Sequence, residues 1–394
     1  MPIDYQQVHE KILQVGLGAR QRRERLEHRR AQARELFHAL SSELDDLRSK
    51  LESAVVHDPN LRCAVPVIEP LNSSNPPPKE IPPATLIAAD GSQVNPDRHA
   101  AVQFGLVNVG AISMRLNSGE APKVTTDTHL MYGDDLFPNE TPLTEGLVAL
   151  RRDLAERSNL ETLSREVQGP VVTFTDGPIE LWGAQGEDPK TYADFVERHK
   201  AVLSRLQSRG VITAGYVDKT SANLVLRLLE IALADGDQVR NLREFHPLRG
   251  VTDRWLFSAI HNPLLSPGHR SAVFRIQSGS RRNYQGDIEL HFFYLNVGTQ
   301  GHPWPVRVEI HAWVANDMDK LDLLHGVLVE QCQIMGSRPY PYLLHRAHET
   351  ALVKPEEKQQ IEQLLTMELF RNEEEVDVMS NKGSAKGLMG RTRN

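Results

Sequence analysis

Two short apolar segments of the chain each end in an aspartate that is followed at once by glycine. Residues 85–89 lead into Asp90-Gly91, and residues 171–175 lead into Asp176-Gly177. Short runs of apolar and β-branched residues are typical of buried strands, and glycine permits the sharp turn that would end each strand. Strands ending at the same edge of a sheet could place both carboxylates around one divalent cation, as a metal-dependent phosphodiesterase site requires. The alternative is that each Asp-Gly pair only forms a turn.

The composition indicates a globular protein. Its 394 residues can form one large domain with appendages or two domains. The hydrophobic content of 40% and the charged content of 25% are ordinary for a globular chain. No run approaches the ~20 apolar residues that cross a bilayer, and the N-terminus lacks a signal-peptide pattern. We therefore expect a cytoplasmic protein that does not associate with membranes.

Several classes of site and protein are excluded by cysteine usage, charge and motifs. The two cysteines, Cys63 and Cys332, have no Cys-x-x-Cys spacing, which argues against a thiolate zinc site and a disulfide framework. The net charge of -7 excludes a uniformly basic nucleic-acid-coating protein, but it permits one basic groove in an enzyme that acts on nucleic acid. No Gly-Lys-Ser/Thr closes a phosphate-binding loop, so the chain does not look like an ATPase.

The first 83 residues are predicted to form an arm and a connector. Residues 1–58 read as a helical, coiled-coil-like arm, because apolar residues recur every seven positions at Leu26, Ala33, Leu40 and Leu47. The arginine-rich part of this arm is either a solvated helix face or a contact with a partner or DNA. Residues 59–83 are rich in proline and predict an extended connector.

Strand and helix patterns alternate from residue 84 to residue 370, which predicts an α/β domain with a mixed sheet and helices on both faces. A charged tail without periodicity, expected to be mobile, follows at residues 371–394. The predicted strands are 85–89, 100–109, 111–116, 124–131, 171–175, 211–217, 272–277, 289–297 and 306–313, and the predicted helices are 141–167, 189–208, 221–234, 317–335, 343–353 and 355–370.

An ordered set of short motifs between residues 84 and 370 resembles the NurA nuclease family, the exonuclease partner of the HerA translocase. The set comprises Asp90-Gly-Ser, Asp176-Gly-Pro-Ile, Gly215-Tyr-Val217 with Lys219, Thr252-Asp253, Arg307-Val-Glu309 ahead of Trp313, and Tyr340-Pro-Tyr342 with Ala347-His348. One departure concerns the family pattern Gly-Tyr-Val-Lys, since Asp218 here precedes Lys219. It leaves open which of the two side chains faces the site.

The resemblance implies an RNase H-like fold with a manganese-dependent site. It implies that Asp90 and Asp176 bind Mn²⁺ or Mg²⁺ directly and that Glu156 is the third acid. Tyr340 and His348 would lie near the scissile phosphate. It further implies a 5′-to-3′ exonuclease with single-strand endonuclease activity. Such a protein would act as a homodimer on a hexameric HerA-like ATPase, in end resection, DNA repair or anti-phage defence.

Alternatives stay open for several of these residues and for the function. Glu156 could be an exposed helix acid paired with Arg152 four residues before it. Arg152, Arg281 and Arg282 are candidate DNA contacts, yet the two loop arginines could equally be solvated cations. A non-catalytic DNA-binding or assembly subunit that regulates a translocase is the alternative function. A phosphatase of small phosphoesters is a third.

Overall fold

The computed structural model describes residues 3–182, 188–258 and 264–372. The chain divides into two compact units, of which one comprises Met1–Lys79 with Val217–Ala315 and the other comprises Glu80–Tyr216 with Asn316–Asn394. The predicted boundaries at residues 58 and 83 stay predictions. The predicted mobile tail lies outside the described residues from residue 373 onwards.

The described residues form twelve α-helices and nine β-strands. The helices are α1 (Tyr5–Leu17), α2 (Ala19–Ala39), α3 (Leu44–His57), α4 (Glu145–Arg165), α5 (Pro189–Ser208), α6 (Leu224–Leu233), α7 (Asp237–Arg240), α8 (Asp253–Ser258), α9 (Ala312–Ala315), α10 (Met318–Ile334), α11 (Tyr342–Ala351) and α12 (Pro355–Arg371). The strands are β1 (Cys63–Pro66), β2 (Thr85–Val94), β3 (Gly105–Arg115), β4 (Lys123–Met131), β5 (Val171–Asp176), β6 (Ile212–Val217), β7 (Phe274–Gln277), β8 (Leu290–Asn296) and β9 (Pro305–His311).

Five strands of the second unit lie in the order β6-β5-β2-β3-β4. The strands β2, β3 and β4 form an antiparallel meander, whereas β5 runs parallel to both β2 and β6. The parallel strands are joined through helices, since α5 lies between β5 and β6 in the chain. This mixed sheet with flanking helices confirms the predicted α/β, RNase H-like fold class.

Two helices cover opposite faces of β2 and β3. A Cβ atom placed on Gly91 would lie 2.6 Å from Cγ of Arg152 in α4. A Cβ placed on Gly110, which pairs with Asp90, would lie 2.5 Å from the backbone nitrogen of Ala351 in α11. Because successive residues of a strand point to opposite faces, Asp90 faces α11 and Gly91 faces α4. The prediction of helices on both faces is therefore confirmed.

The first unit contains the antiparallel strands β1-β7-β8-β9 together with α1–α3 and α6–α9. Its apolar core includes Leu51, Cys63 and Ile231, which belong to α3, β1 and α6. The carboxylate of Asp253 caps α6 by accepting hydrogen bonds from the backbone nitrogens of Val225 and Leu226, both at 2.9 Å. Among the residues that the structure describes, no helix has the length and apolar character needed to cross a membrane.

The prediction that the first apolar strand ends at Asp90 was wrong. Strand β2 continues to Val94, because Asp90 pairs with Gly110 and Gly91 pairs with Val109 of β3. Strand pairing therefore outweighs the turn preference of Asp-Gly at this position. The segments predicted as strands at 100–109 and 111–116 belong to one continuous strand, β3, which begins only at Gly105 and ends at Arg115.

The N-terminal arm is helical, as expected, but it is interrupted twice. Gly18 separates α1 from α2, and residues 40–43 separate α2 from α3. Leu40, a member of the predicted heptad repeat, is the C-cap of α2 and ends that helix. The proline-rich segment after the arm contains β1, which pairs with β7.

Candidate active site

Asp90 and Asp176 occupy matching positions on neighbouring strands. The parallel pairing of β2 with β5 extends to Ala89 opposite Thr175, and the two aspartates directly follow this pair. Neighbouring strands lie about 4.8 Å apart, so side chains in register share one face of the sheet. The register thus gives two aspartates that are far apart in the sequence matching positions on adjacent strands. After Asp176, Gly177 adopts a positive φ of 86° and ends β5, as predicted.

Glu156 approaches β2 from the helix α4. A Cβ placed on Gly91 would lie 2.7 Å from Oε1 of Glu156, so the absence of a side chain at Gly91 makes room for this carboxyl group. Glu156 is only 7% exposed. The alternative of an exposed helix acid is therefore wrong, although Arg152 does approach it, with 3.5 Å between Nε and Oε1. We call Asp90, Glu156 and Asp176 the carboxylate site.

The charge balance around Glu156 disfavours its ionised form. Burial raises the pKa of Glu156 well above its usual value, and the carboxylates of Asp153 and Asp90 raise this pKa further. The guanidinium groups of Arg152 and Arg157 oppose this effect, but they do not cancel it. The protonated form of Glu156 is therefore favoured over the ionised form.

His348 contacts the carboxylate site from α11. Its Nδ1 atom lies 2.6 Å from Oδ2 of Asp90. The histidine side chain is 64% exposed, whereas that of Asp90 is 16% exposed. The imidazole therefore lies between Asp90 and solvent, with Nε2 turned away from the carboxylate.

Tyr340 lies in the same unit, and its ring packs edge-on against Tyr216 with 5.4 Å between the ring centroids. Tyr216 is fully buried and is the register partner of Asp176 in β6. Tyr340 is thus linked to the strand beside Asp176 through an aromatic contact, and it is itself half-buried.

The two polar residues that follow β6 differ in their surroundings. Oδ1 of Asp218 accepts a hydrogen bond from Nε1 of Trp304 at 2.9 Å. Lys219 is exposed. The guanidinium of Arg254 lies over the indole of Trp304, 3.9 Å from its ring centroid. Asp218 therefore belongs to a packed polar cluster of the first unit.

The three candidate DNA-contacting arginines have different environments. Arg152 is half-buried and pairs with Asp153 at 2.8 Å, beside the carboxylate site. Arg281 pairs with Glu289 at 3.0 Å, and Arg282 is exposed; both lie in a short 3₁₀ helix of the first unit. Arg152 lies against Glu156 of the carboxylate site, in the same unit.

The oxygen donors of the carboxylate site suit a hard divalent cation such as Mg²⁺ or Mn²⁺. Burial and the nearby carboxylates raise the pKa of Glu156, and the positive charge of a bound cation would favour its ionised form. Within residues 3–182, 188–258 and 264–372, no three His, Cys, Asp or Glu side chains already stand at metal-ligand geometry. The residues fit a divalent cation in donor chemistry and charge, and the carboxylates would have to close around it.

A cavity beside the carboxylate site was not anticipated from the sequence. Its lining includes Arg157, Trp182 and His199 together with Glu156 and Asp176. These residues come from α4, α5 and the segment after β5, and no regular spacing connects them. The one available signal was a tryptophan placed seven residues beyond the Val171–Thr175 segment, in a polar loop sequence.

Several solved structures resemble the chain, all at low sequence identity. The crystal structure of the NurA nuclease from Sulfolobus solfataricus is 12% identical, with a TM-score of 0.48, and the match covers 86% of this chain and 98% of that one. The catalytic domain of human Endonuclease V is 14% identical, with a TM-score of 0.33 and coverages of 72% and 84%. Ciona intestinalis Endonuclease V in complex with DNA is 10% identical, with a TM-score of 0.32 and coverages of 79% and 96%.

Sequence comparison identifies the family. No curated protein sequence matches the chain significantly. The family model described as the NurA domain, however, matches residues 84–353, which is more than half of the chain. This region contains Asp90, Glu156, Asp176 and His348, the residues assembled in the geometry described above. The chain therefore belongs to the NurA family.

Proposed function

We propose that the chain is a divalent-metal-dependent deoxyribonuclease that hydrolyses phosphodiester bonds at the carboxylate site. The observation that carries this proposal is the placement of Asp90 and Asp176 at matching positions of parallel strands, with the carboxyl of Glu156 beside them. Membership of the NurA family supports the same conclusion. Asp90, Glu156 and Asp176 are the proposed ligands of Mn²⁺ or Mg²⁺.

The carboxylates would bind and orient the cation against the substrate. When bound, Mn²⁺ or Mg²⁺ would supply positive charge that offsets the repulsion between a phosphodiester and an attacking hydroxide. Arg152 lies next to Glu156 and limits the negative charge that the phosphate meets. Tyr340 and Lys219 are further candidates for contacts with the phosphate, following the family resemblance.

His348 is the proposed proton donor to the leaving oxygen. Asp90 accepts the hydrogen bond of Nδ1–H and thereby orients the ring, so that Nε2 points towards the exposed side where DNA would approach. In its imidazolium form, a histidine held in this way carries protons on both ring nitrogens, so it can pass the Nε2 proton to the departing oxygen and regain a proton at Nε2 from water.

The finer activity and the partners also form part of the proposal. We infer 5′-to-3′ exonuclease and single-strand endonuclease activity from the family resemblance. A homodimer working with a hexameric HerA-like ATPase in the cytoplasm, in end resection, DNA repair or anti-phage defence, is proposed on the same basis. The lack of a Gly-Lys-Ser/Thr phosphate-binding loop supports a separate motor, because translocation along DNA needs nucleotide hydrolysis.

The decisive experiment compares Asp90→Asn and Asp176→Asn with the wild type. Cleavage of labelled single-stranded DNA is measured with Mn²⁺, with Mg²⁺ and with EDTA. We expect a loss of at least about 100-fold in either variant, since removing one group that stabilises transition-state charge costs this much or more. Asp127→Asn is the matched control, because Asp127 is a half-exposed acid of β4 in the same unit that pairs with His129.

Undiminished cleavage by either active-site variant would contradict the proposed nuclease. DNA binding without cleavage by the wild type, in any of the metals, would instead favour the DNA-binding subunit. Faster turnover of a small chromogenic phosphoester than of DNA would favour a phosphatase. Asp127→Asn should cleave DNA as the wild type does.

A further inference from the structure

A cavity of about 240 Å³ adjoins the carboxylate site within the same unit. Glu156 and Arg157 of α4 form one side of it, and His199 of α5 forms another. Asp176, at the end of β5, and Trp182, in the segment that follows β5, also line the cavity. Because Glu156 and Asp176 belong both to this lining and to the carboxylate site, a substrate bound at the carboxylates would extend into the cavity.

The segment that forms the cavity wall is held in place by defined contacts. The backbone nitrogen of Gly177 donates to the carbonyl of Tyr216 at 2.8 Å. The hydroxyl of Tyr192 donates to the carbonyl of Leu181, also at 2.8 Å. Gly215 allows this segment to lie close to β6, since a Cβ there would be 2.6 Å from the carbonyl oxygen of Gly177. The wall therefore has a fixed position relative to Asp176.

Trp182 stands at the rim of the cavity with 53% of its surface exposed. Its neighbours Leu181 and Ile179 are 4% and 2% exposed, so the apolar side of this segment is already buried without the indole. A large, partly exposed aromatic face beside a cavity is suited to stacking against a planar group. Bases of single-stranded nucleic acids are bound in this way, because every base has a flat face.

The charges in the cavity disfavour a second phosphate. Four carboxylates line it, whereas the lining contains two arginines and one histidine: Asp153, Glu156, Asp176 and Glu180 against Arg152, Arg157 and His199. Even with Glu156 protonated, three acids face two arginines, so a phosphate would meet a surplus of negative charge here. A neutral ring with N–H groups at its edge can instead donate hydrogen bonds to carboxylate oxygens, as the amino groups of bases do. The volume is below the ~300 Å³ of pockets for drug-sized ligands, so the occupant is a single ring system.

We propose that this cavity binds one unpaired nucleobase of single-stranded DNA, stacked on Trp182, next to the phosphate at the carboxylate site. This inference rests on the proposed nuclease function and adds the position of the strand to it. Trp182 is thus a positioning residue: it fixes one base, and the sugar-phosphate linkage next to that base falls beside Asp176. A paired base in a duplex cannot enter, so the cavity selects frayed or single-stranded DNA.

The first test measures binding of a short fluorescent single-stranded oligonucleotide to the full chain by anisotropy in EDTA. Trp182→Ala should raise Kd by about 5- to 150-fold, the range that follows from loss of one base-aromatic stacking contact. Trp182→Phe should stay within about threefold of the wild type, because a flat ring is retained. Phe137→Ala is the matched control, since Phe137 is an equally exposed aromatic, at 53%, in the same unit but outside the cavity lining.

The second test separates stacking from a general effect on the protein. Oligonucleotides that each carry one abasic residue, at successive positions, are titrated against the wild type and Trp182→Ala. At one position, the abasic residue should weaken binding to the wild type and cause no further weakening in the variant. Equal weakening in both proteins at every position would overturn the base site, as would an unchanged Kd for Trp182→Ala with the intact strand.

The two proposals can fail separately. Binding in EDTA requires no cleavage, so an inactive wild type with the expected coupling to Trp182 would retain the base site and contradict the nuclease. Cleavage that depends on Asp90 without coupling to Trp182 would retain the nuclease and overturn the base site. Thermal unfolding of each variant shows whether the fold is intact.

Discussion

Nδ1 of His348 lies 2.6 Å from Oδ2 of Asp90, although 257 residues of chain separate the two positions. When Asp90 is ionised, its carboxylate accepts hydrogen bonds and donates none, so Nδ1 of the imidazole is then the donor in this contact. The other nitrogen, Nε2, is then the one that can exchange a proton with the substrate. A single contact thus orients the ring and couples α11 to β2.

The first prediction concerns His348→Asn. Asparagine can keep a hydrogen-bond donor near Asp90, but it has no group at the position of Nε2. We expect kcat for single-stranded DNA to fall by about 10²- to 10⁴-fold, with KM close to that of the wild type, because proton transfer would be lost and binding retained. Steady-state cleavage of a fluorescent oligonucleotide measures both constants.

His345→Asn is the matched control for this substitution. His345 is a neighbouring half-exposed histidine of α11, and its Nε2 lies 3.5 Å from Oε1 of Glu349 rather than against Asp90. It should leave kcat unchanged. A kcat of wild-type size in His348→Asn would show that the imidazole does not transfer the proton.

The second prediction concerns Glu156→Gln. The raised pKa of Glu156 means that the folded state prefers this carboxyl protonated, so its ionisation costs stability as pH rises. Glutamine removes that cost, and we expect the metal-free variant at pH 7 to be at least as stable as the wild type. The wild type should gain about 2.7 kcal/mol at a cation concentration 100 times Kd, and the variant should lose most of this gain. Thermal unfolding with and without Mn²⁺ tests both statements.

Glu161→Gln provides the contrast on the same helix. Its carboxylate is buried and accepts hydrogen bonds from Nε and an amino group of Arg165 at 2.6 and 2.8 Å. Loss of this ion pair should lower Tm equally with and without Mn²⁺. An equal Mn²⁺-induced rise in Tm for Glu156→Gln and the wild type would exclude Glu156 as a ligand.

The third prediction concerns Gly91→Ala. The added Cβ would lie 2.6 Å from Cγ of Arg152 and 2.7 Å from Oε1 of Glu156, so both side chains must move. We expect a loss of about 1–3 kcal/mol in the free energy of unfolding, as overpacking costs, and a larger relative loss of cleavage because Glu156 is displaced. Denaturant unfolding and DNA cleavage are measured together. Gly301→Ala is the control, since nothing lies within 4 Å of a Cβ there, and it should change neither quantity.

The fourth prediction concerns Asp253, which is fully buried. Burial raises its pKa from 3.8 to about 6. The hydrogen bonds donated by two backbone nitrogens of α6 and by Tyr294 lower this pKa, but burial outweighs them. The folded state therefore binds this proton more tightly than the unfolded state, and stability falls as pH rises from about 4 to 6. Since one pKa unit corresponds to about 1.4 kcal/mol, the fall attributable to Asp253 is about 3 kcal/mol.

Asp253→Asn should abolish that fall, because an amide does not ionise. Urea unfolding at several pH values measures the difference between wild type and variant, which should grow in favour of the variant as pH rises from 4 to 7. Asp237→Asn is the control, because Asp237 is an exposed acid of the same unit, and its curve should run parallel to the wild type. A parallel curve for Asp253→Asn as well would contradict the raised pKa.

The matching positions of Asp90 and Asp176 on adjacent parallel strands could be foreseen from the sequence. Both follow short apolar, β-branched runs, and parallel strands joined through a helix end at one edge of a sheet. The extension of β2 beyond Asp90 could not be foreseen, since it depends on pairing with Gly110 and Val109 of β3. Local turn preference is a property of a few residues, whereas strand pairing is a property of the whole sheet.

The other differences between the sequence-based predictions and the structure also arise from contacts between residues that are distant in the sequence. The interruption of the arm at Leu40 leaves the heptad spacing intact in the sequence, so periodicity alone predicted one long seam. The burial of Glu156 depends on a glycine in another element, Gly91. Trp182 belongs to no recognisable sequence motif. It lies near Asp176 and His199 only once β5 and α5 have packed together. Tertiary contacts of this kind leave no regular spacing to detect.

Strand β2 lies between α4 and α11, and α11 comes from the last part of the second unit. A chain that stops before Tyr342 would therefore uncover the face of β2 that α11 covers, and it would lose the contact between His348 and Asp90. All three acids would still be present in such a chain. The position of one proposed metal ligand thus depends on a helix that lies far beyond it in the sequence.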